Sequence, residues 1–321
     1  MKVISPFAAF FFLAVAVCAQ APIPGSQLYP IRDHGKYGYM SNTGELVIPA
    51  MYDNAMFFYE GLAAVKIDGQ YGFIDNNNKM VIAPAYDTTG YFSEGWCAVG
   101  VMDTASDTPM PMQWSYIDPT GKIMRFSGLT SLGYAHPFHQ NRALVTEVGF
   151  DEPVFIDKTG ATVLKQGTYY FITDPNVHFR EGVLKAIKPM GNDGYYKTVF
   201  IDTAGALMEG IKTGYDDMGQ IVEGMIWFRN GIQYGFLDRS GKEVIEAEYD
   251  TVLDFSEGWA RVSQRMELNP NTGILEGGIH GYINNLGEWM LQPKARMGYS
   301  FKNGYARVFT DGKWGYMNTS G

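Results

Sequence analysis

The chain has 321 residues, 46% of them hydrophobic and 15% aromatic, with 38 glycines. That composition excludes a disordered chain and suits many short strands joined by tight turns. With 34 acidic against 25 basic residues the formal charge is −9, which disfavours nucleic acid and anionic lipid as partners.

The N-terminus reads as an export signal: Met1 and Lys2 are followed by an apolar run from about Phe7 to Val17 and the small residue Ala19. We expect a signal peptide over 1–19, cleaved before Gln20, and a short linker over 20–27. Lipidation of Cys18 is the minor alternative, because Val17 is bulky for the position before a lipidated cysteine. The apolar run is short for a membrane anchor, and no later stretch is long and apolar enough to span a bilayer. The sequence therefore predicts no membrane span after cleavage, and a periplasmic, cell-surface or secreted protein. Cys97 is then the only cysteine, so the exported chain has no internal disulfide. Flanked by Trp96 and Ala98 in a strand pattern, it reads as a buried, inert thiol.

From residue 28 onward one pattern recurs. Leu28–Gly35 aligns with Leu62–Gly69, so the array opens on the third strand of a unit. Lys36-Tyr37-Gly38-Tyr39 is the first copy of a signature repeated at Gln70–Phe73, Gln233–Phe236 and Lys313–Tyr316. Aligning the ring after the signature glycine gives Tyr39, Phe73, Tyr116, Phe155, Phe200, Phe236, Tyr282 and Tyr316, spaced 34 to 46 residues apart. A fixed period of this size is the mark of a repeat architecture.

The second unit shows the design. Tyr71–Asp75 is a first strand, Asn76–Asn78 a turn and Lys79–Ile82 a second strand. Pro84-Ala85-Tyr86-Asp87 leads to Phe92-Ser93-Glu94-Gly95 and a third strand, Trp96–Val101. Later turns read Asp118-Pro119-Thr120-Gly121, Asp157–Gly160, Asp202–Gly205 and Asp238–Gly241. Asp accepts bonds from backbone N–H groups ahead of it, and Gly takes the positive φ that closes the loop. Alternation in Leu62–Ile67 and Trp259–Val262 predicts half-buried strands. No window holds a helical period; only about 127–135 and 206–212 leave room for one.

The expected fold is all-β: tandem antiparallel three-stranded β-repeats over 28–321, about seven to eight units, divergent between about 102 and 232. The sequence counts eight first, eight third and seven second strands. An open curved array is therefore expected, with a closed β-propeller-like ring as the alternative. The end on a turn at Gly321 leaves open whether the C-terminus is complete.

The signature, the turn, Ile82-Ala83-Pro84-Ala85-Tyr86-Asp87 and Phe255-Ser256-Glu257-Gly258-Trp259 together resemble the bacterial WG-repeat family, also called KWG repeats. The resemblance runs over about 28–321 and weakens between about 102 and 232. It implies a β-repeat scaffold for contacts, secreted, on the surface or associated with effectors, and no defined activity.

Chemistry-bearing groups are sparse. His136 and His139 lack further ligands, and Pro137 opposes a metal-binding helix; His34, His178 and His280 are scattered. Asp75–Asn78 and Gly191–Gly194 resemble calcium loops superficially but lack the twelve-residue frame. Glu60, Glu94, Glu181, Glu223 and Glu257 each precede Gly at one phase of the unit. Recurrence favours a structural role, bonding backbone N–H groups, over a hydrolase pair. No nucleophile elbow or phosphate or dinucleotide fingerprint appears. The sequence thus predicts a protein without enzymatic activity, cofactor or metal, whose partner is a protein or a glycan. Aromatics off the repeat phase are the binding candidates: Trp114, Tyr134, Tyr169, Tyr170, Tyr195 and Tyr196. A carbohydrate-binding or carbohydrate-active protein using exposed rings and carboxylates is the alternative.

Overall fold

The computed structural model describes residues 28–104, 112–126, 132–148, 152–165, 169–170, 178–190, 195–271 and 275–321. The signal and linker (1–27) and the Gly191–Gly194 loop lie outside the described residues. Among those described the chain is all-β, with no helix, and no helix long and apolar enough to cross a membrane. Residues 132–135 form a strand and 206–212 contain no helix.

The chain divides into two compact units: 28–165 with His178, and residues 169–170 with those from Phe179 onward. Each is a series of small antiparallel sheets, none closed on itself. In the first unit, Leu62–Ile67, Gln70–Asp75 and Met80–Tyr86 form one sheet. In the second, Met225–Asn230, Gln233–Asp238 and Glu243–Tyr249 repeat it. The structure adds a fourth, two-residue strand to these sheets, Asn54–Ala55 in one and Asp217–Met218 in the other. Two residues are too few to show alternation, so this strand left no sequence pattern.

Third strands pair antiparallel with the following first strand, and in the regular copies a two-residue turn joins them. Between Ile67 and Gln70 stand Asp68 and Gly69 at φ 49° and 86°, the doubly left-handed turn that matches strand twist. The recurrent Tyr-Asp step closes this hairpin. Asp53 accepts the Asp68 N–H at 3.0 Å, and Asp87, Asp216 and Asp250 accept those of Met102, Gly231 and Met266.

The signature glycine allows close strand approach. A Cβ on Gly72 would lie 2.5 Å from the Ile82 carbonyl oxygen and 2.7 Å from the Pro84 nitrogen. Met80–Tyr86 is a sheet edge, where proline is tolerated because the outer N–H has no ladder partner.

Seven of the eight aligned rings, from Tyr39 to Tyr282, are buried, while Tyr316 is 68% exposed. Where a buried ring is Tyr, its hydroxyl donates to a backbone carbonyl of the following repeat: Tyr39 to Met56, Tyr116 to His136, Tyr282 to Tyr299. Each buried ring adds roughly 2 kcal/mol of apolar burial, and the tyrosine hydroxyls tie one repeat to the next, as repeat stacking requires.

Candidate binding surface

The recurrent glutamates occupy the first residue of a second tight turn. Glu60, Glu94, Glu181, Glu223 and Glu257 have φ between 49° and 57°, each followed by a glycine at positive φ. Their carboxylates reach the matching turn of a following repeat. Glu60 accepts the N–H groups of Glu94 and Gly95 at 2.6 and 2.8 Å. Glu94 accepts those of Gln140 and Asn141, and Glu223 those of Glu257 and Gly258, both at 2.7 Å. Glu257 accepts from Asn303 and Gly304, and Glu181 from Gly224. Their oxygens are thus engaged on backbone rather than aimed at a shared point.

The turn aspartates behave alike. Asp118, Asp157 and Asp238 are held below the usual carboxylate range, first by the hydroxyls of Thr120, Thr159 and Ser240, then by backbone N–H groups. Burial pushes the Cys97 thiol up to about 12, against bonds from Thr89 and backbone; at neutral pH it stays protonated, hence a poor nucleophile. Asn78 takes φ 61° where other copies have Gly. No group of three or more His, Cys, Asp or Glu suited to a metal occurs among the described residues.

The six candidate aromatics fall into two sets. In the first unit Trp114 sits at the junction of two meanders, paired with Gly100 and Leu132. It is half-buried and packs edge-on against exposed Tyr134, centroids 5.3 Å apart. Tyr134 in turn meets the buried His136 ring at 4.8 Å. In the second unit Tyr170 and Tyr196, both exposed, lie edge to face at 6.3 Å, and half-buried Tyr169 has the Lys188 ammonium 5.9 Å from its centroid. Tyr195 lies on the strand Tyr195–Asp202, but its side chain is outside the described residues.

Two further groups escaped the sequence reading. Tyr59, Tyr91, His139 and His178 form a row of rings across successive repeats, with centroid spacings of 4.3, 6.4 and 4.2 Å. Their place one residue either side of the Phe that precedes the Glu-Gly turn was the signal available. Arg261 and His280 bond at 2.8 Å; burial, then the guanidinium, pushes His280 down to about 4.

Sheets of one design, tied by rings and carboxylates and bearing exposed aromatics off the repeat phase, define a β-repeat scaffold. Segments 37–71, 71–101, 234–265 and 281–314 match the model for the WG containing repeat. Those four segments are similar to WG repeats, and the matches skip the middle, where the signature decays. No curated protein matches it. Among solved structures it is similar to Citrobacter koseri AztD, at 12% identity and TM-score 0.37 over 90% of this chain and 80% of that one. It is similar to KlHsv2 with loop 6CD replaced by a Gly-Ser linker, at 10% identity and TM-score 0.40, over 81% and 94%. The WD40 beta propeller domain of Doa1 shares 12% identity at TM-score 0.29, over 91% and 96%. At these scores the likeness carries neither ligand nor activity to this chain.

Proposed function

We propose that this chain is an exported, non-enzymatic repeat scaffold that binds a protein or glycan partner outside the cytoplasm. One contrast supports the reading: rings in phase with the repeat are buried from Tyr39 to Tyr282, whereas Tyr134, Tyr170 and Tyr196 in the divergent middle are exposed. Folding accounts for the first set and leaves the second free for contacts. The recurrent carboxylates are engaged on backbone, which supports a scaffold over a hydrolase. Export rests on the pattern of residues 1–19.

A carbohydrate-active protein is the second reading, favoured by the exposed Tyr170–Tyr196 pair. The test is to expose the purified chain to a panel of cell-wall and plant glycans and to an envelope-protein extract. Saturable retention lost in Tyr134→Ala or Tyr196→Ala supports the scaffold. Turnover of a glycan supports the second reading, and no retention of any kind refutes both. Mass analysis of the exported product should give a chain starting at Gln20.

A further inference from the structure

Val183–Met190 and Tyr195–Asp202 form a hairpin of eight-residue strands, two longer than the six of the regular hairpins at 62–75 and 225–238. In the added length Lys188 stands directly opposite Lys197, so both side chains project from one face of the hairpin. Like charges placed this way repel. Neither ammonium has a carboxylate within ion-pair distance among the described residues, although the chain carries 34 acidic residues. Tyr169 lies on the same side, its ring 5.9 Å from Lys188. Tyr170 bonds the hairpin backbone at Ile187 in both directions, fixing the segment in place.

We propose that Tyr169, Lys188 and Lys197 form a site for an acidic glycan, a chain of uronate sugars. The lysines pair with carboxylates whose arrival relieves their repulsion, and the ring packs against the C–H face of a pyranose. The site rests on the binding-scaffold reading and names its ligand class. Its two ammonium groups, without a carboxylate partner among the described residues, select an anionic ligand over the neutral polymer of the same sugar. Its affinity falls with added salt.

The test is retention of the full chain in gels containing polygalacturonate, against fully methyl-esterified polygalacturonate and poly-glutamate. Wild type should be retarded by polygalacturonate alone, and Lys188→Gln/Lys197→Gln should bind about tenfold more weakly or worse, as for the loss of about 1.4 kcal/mol. The double variant should melt no lower than wild type, since a repulsive pair is removed, which keeps the comparison valid. Tyr169→Ala should weaken retention, whereas Lys242→Gln, an exposed lysine following the Asp238–Gly241 turn, should not. Equal retention of the double variant, or no retardation of wild type, overturns the site while leaving binding elsewhere on the scaffold standing. Equal retardation by poly-glutamate, lost in the same variants, overturns the glycan class in favour of an acidic peptide.

Discussion

Replacing Glu94 by Gln tests the carboxylate relay where it carries most. Its acceptor turn, Gln140-Asn141, departs from Glu-Gly, so two non-glycine residues stand at φ 54° and 59°. The carboxylate takes both N–H groups, and Lys158 bonds the Glu94 carbonyl at 2.8 Å while its ammonium lies 3.5 Å from the carboxylate. Bonds to a charged acceptor are worth about 1.5–3 kcal/mol when sheltered. Here Glu94 is about one-third exposed, its side chain at 30%, so water replaces part of what is lost. Glutamine keeps one acceptor oxygen and opposes the other N–H with its own. The expected loss is about 1–2 kcal/mol by urea unfolding, with faster amide exchange at Gln140 and Asn141. Adding Asn141→Gly should restore about 0.5–1 kcal/mol by easing the left-handed turn. Unchanged stability together with unchanged exchange at both amides would refute the relay.

Gly72→Ala should destabilise by about 2–4 kcal/mol, because its Cβ meets backbone rather than a movable side chain; a melting curve checks it. Gly241→Val should cost more than Gly121→Val. A Cβ on Gly241 lies 2.5 Å from the Gly210 carbonyl oxygen, whereas one on Gly121 meets only the Ile82 side chain at 3.3 Å. The positive φ alone costs each about 1 kcal/mol. Asp118, Asp157 and Asp238 have lowered folded-state pKa values, so their contribution is present above the unfolded value near 4 and lost as pH falls through the folded one. The triple Asp→Asn variant should flatten that acid limb in pH-dependent unfolding. The Cys97 thiol should resist an aromatic disulfide reagent at pH 8 until denaturant is added.

What was legible in the sequence follows from recurrence. The Asp-x-x-Gly turn needs a side-chain acceptor and one positive φ, both written in residue identity, and the structure places Gly121, Gly160, Gly205 and Gly241 at φ 82–85°. The buried ring after the signature glycine was equally readable from spacing. The short outer strand was not, since Asn54–Ala55 is made by pairing to Leu62–Ile67 and not by its own pattern. Nor was the Glu–turn relay, whose partners stand 34 to 47 residues apart: sequence suggested carboxylate on backbone N–H, and only the stacked sheets show which one. Among the candidate rings, type and position named Tyr134, Tyr170 and Tyr196, but sequence carried no hint that Trp114 is half-buried at a junction. The opposition of Lys188 and Lys197 needed hairpin register.

In the proposed function, residues in phase with the repeat build the scaffold and those out of phase bind. Partner retention and melting measured together on a Tyr134→Ala/Tyr170→Ala/Tyr196→Ala variant test it most directly. Retention should be lost with the melting temperature within a few degrees of wild type, since exposed substitutions cost little. Intact retention, or a collapse in melting, would contradict it.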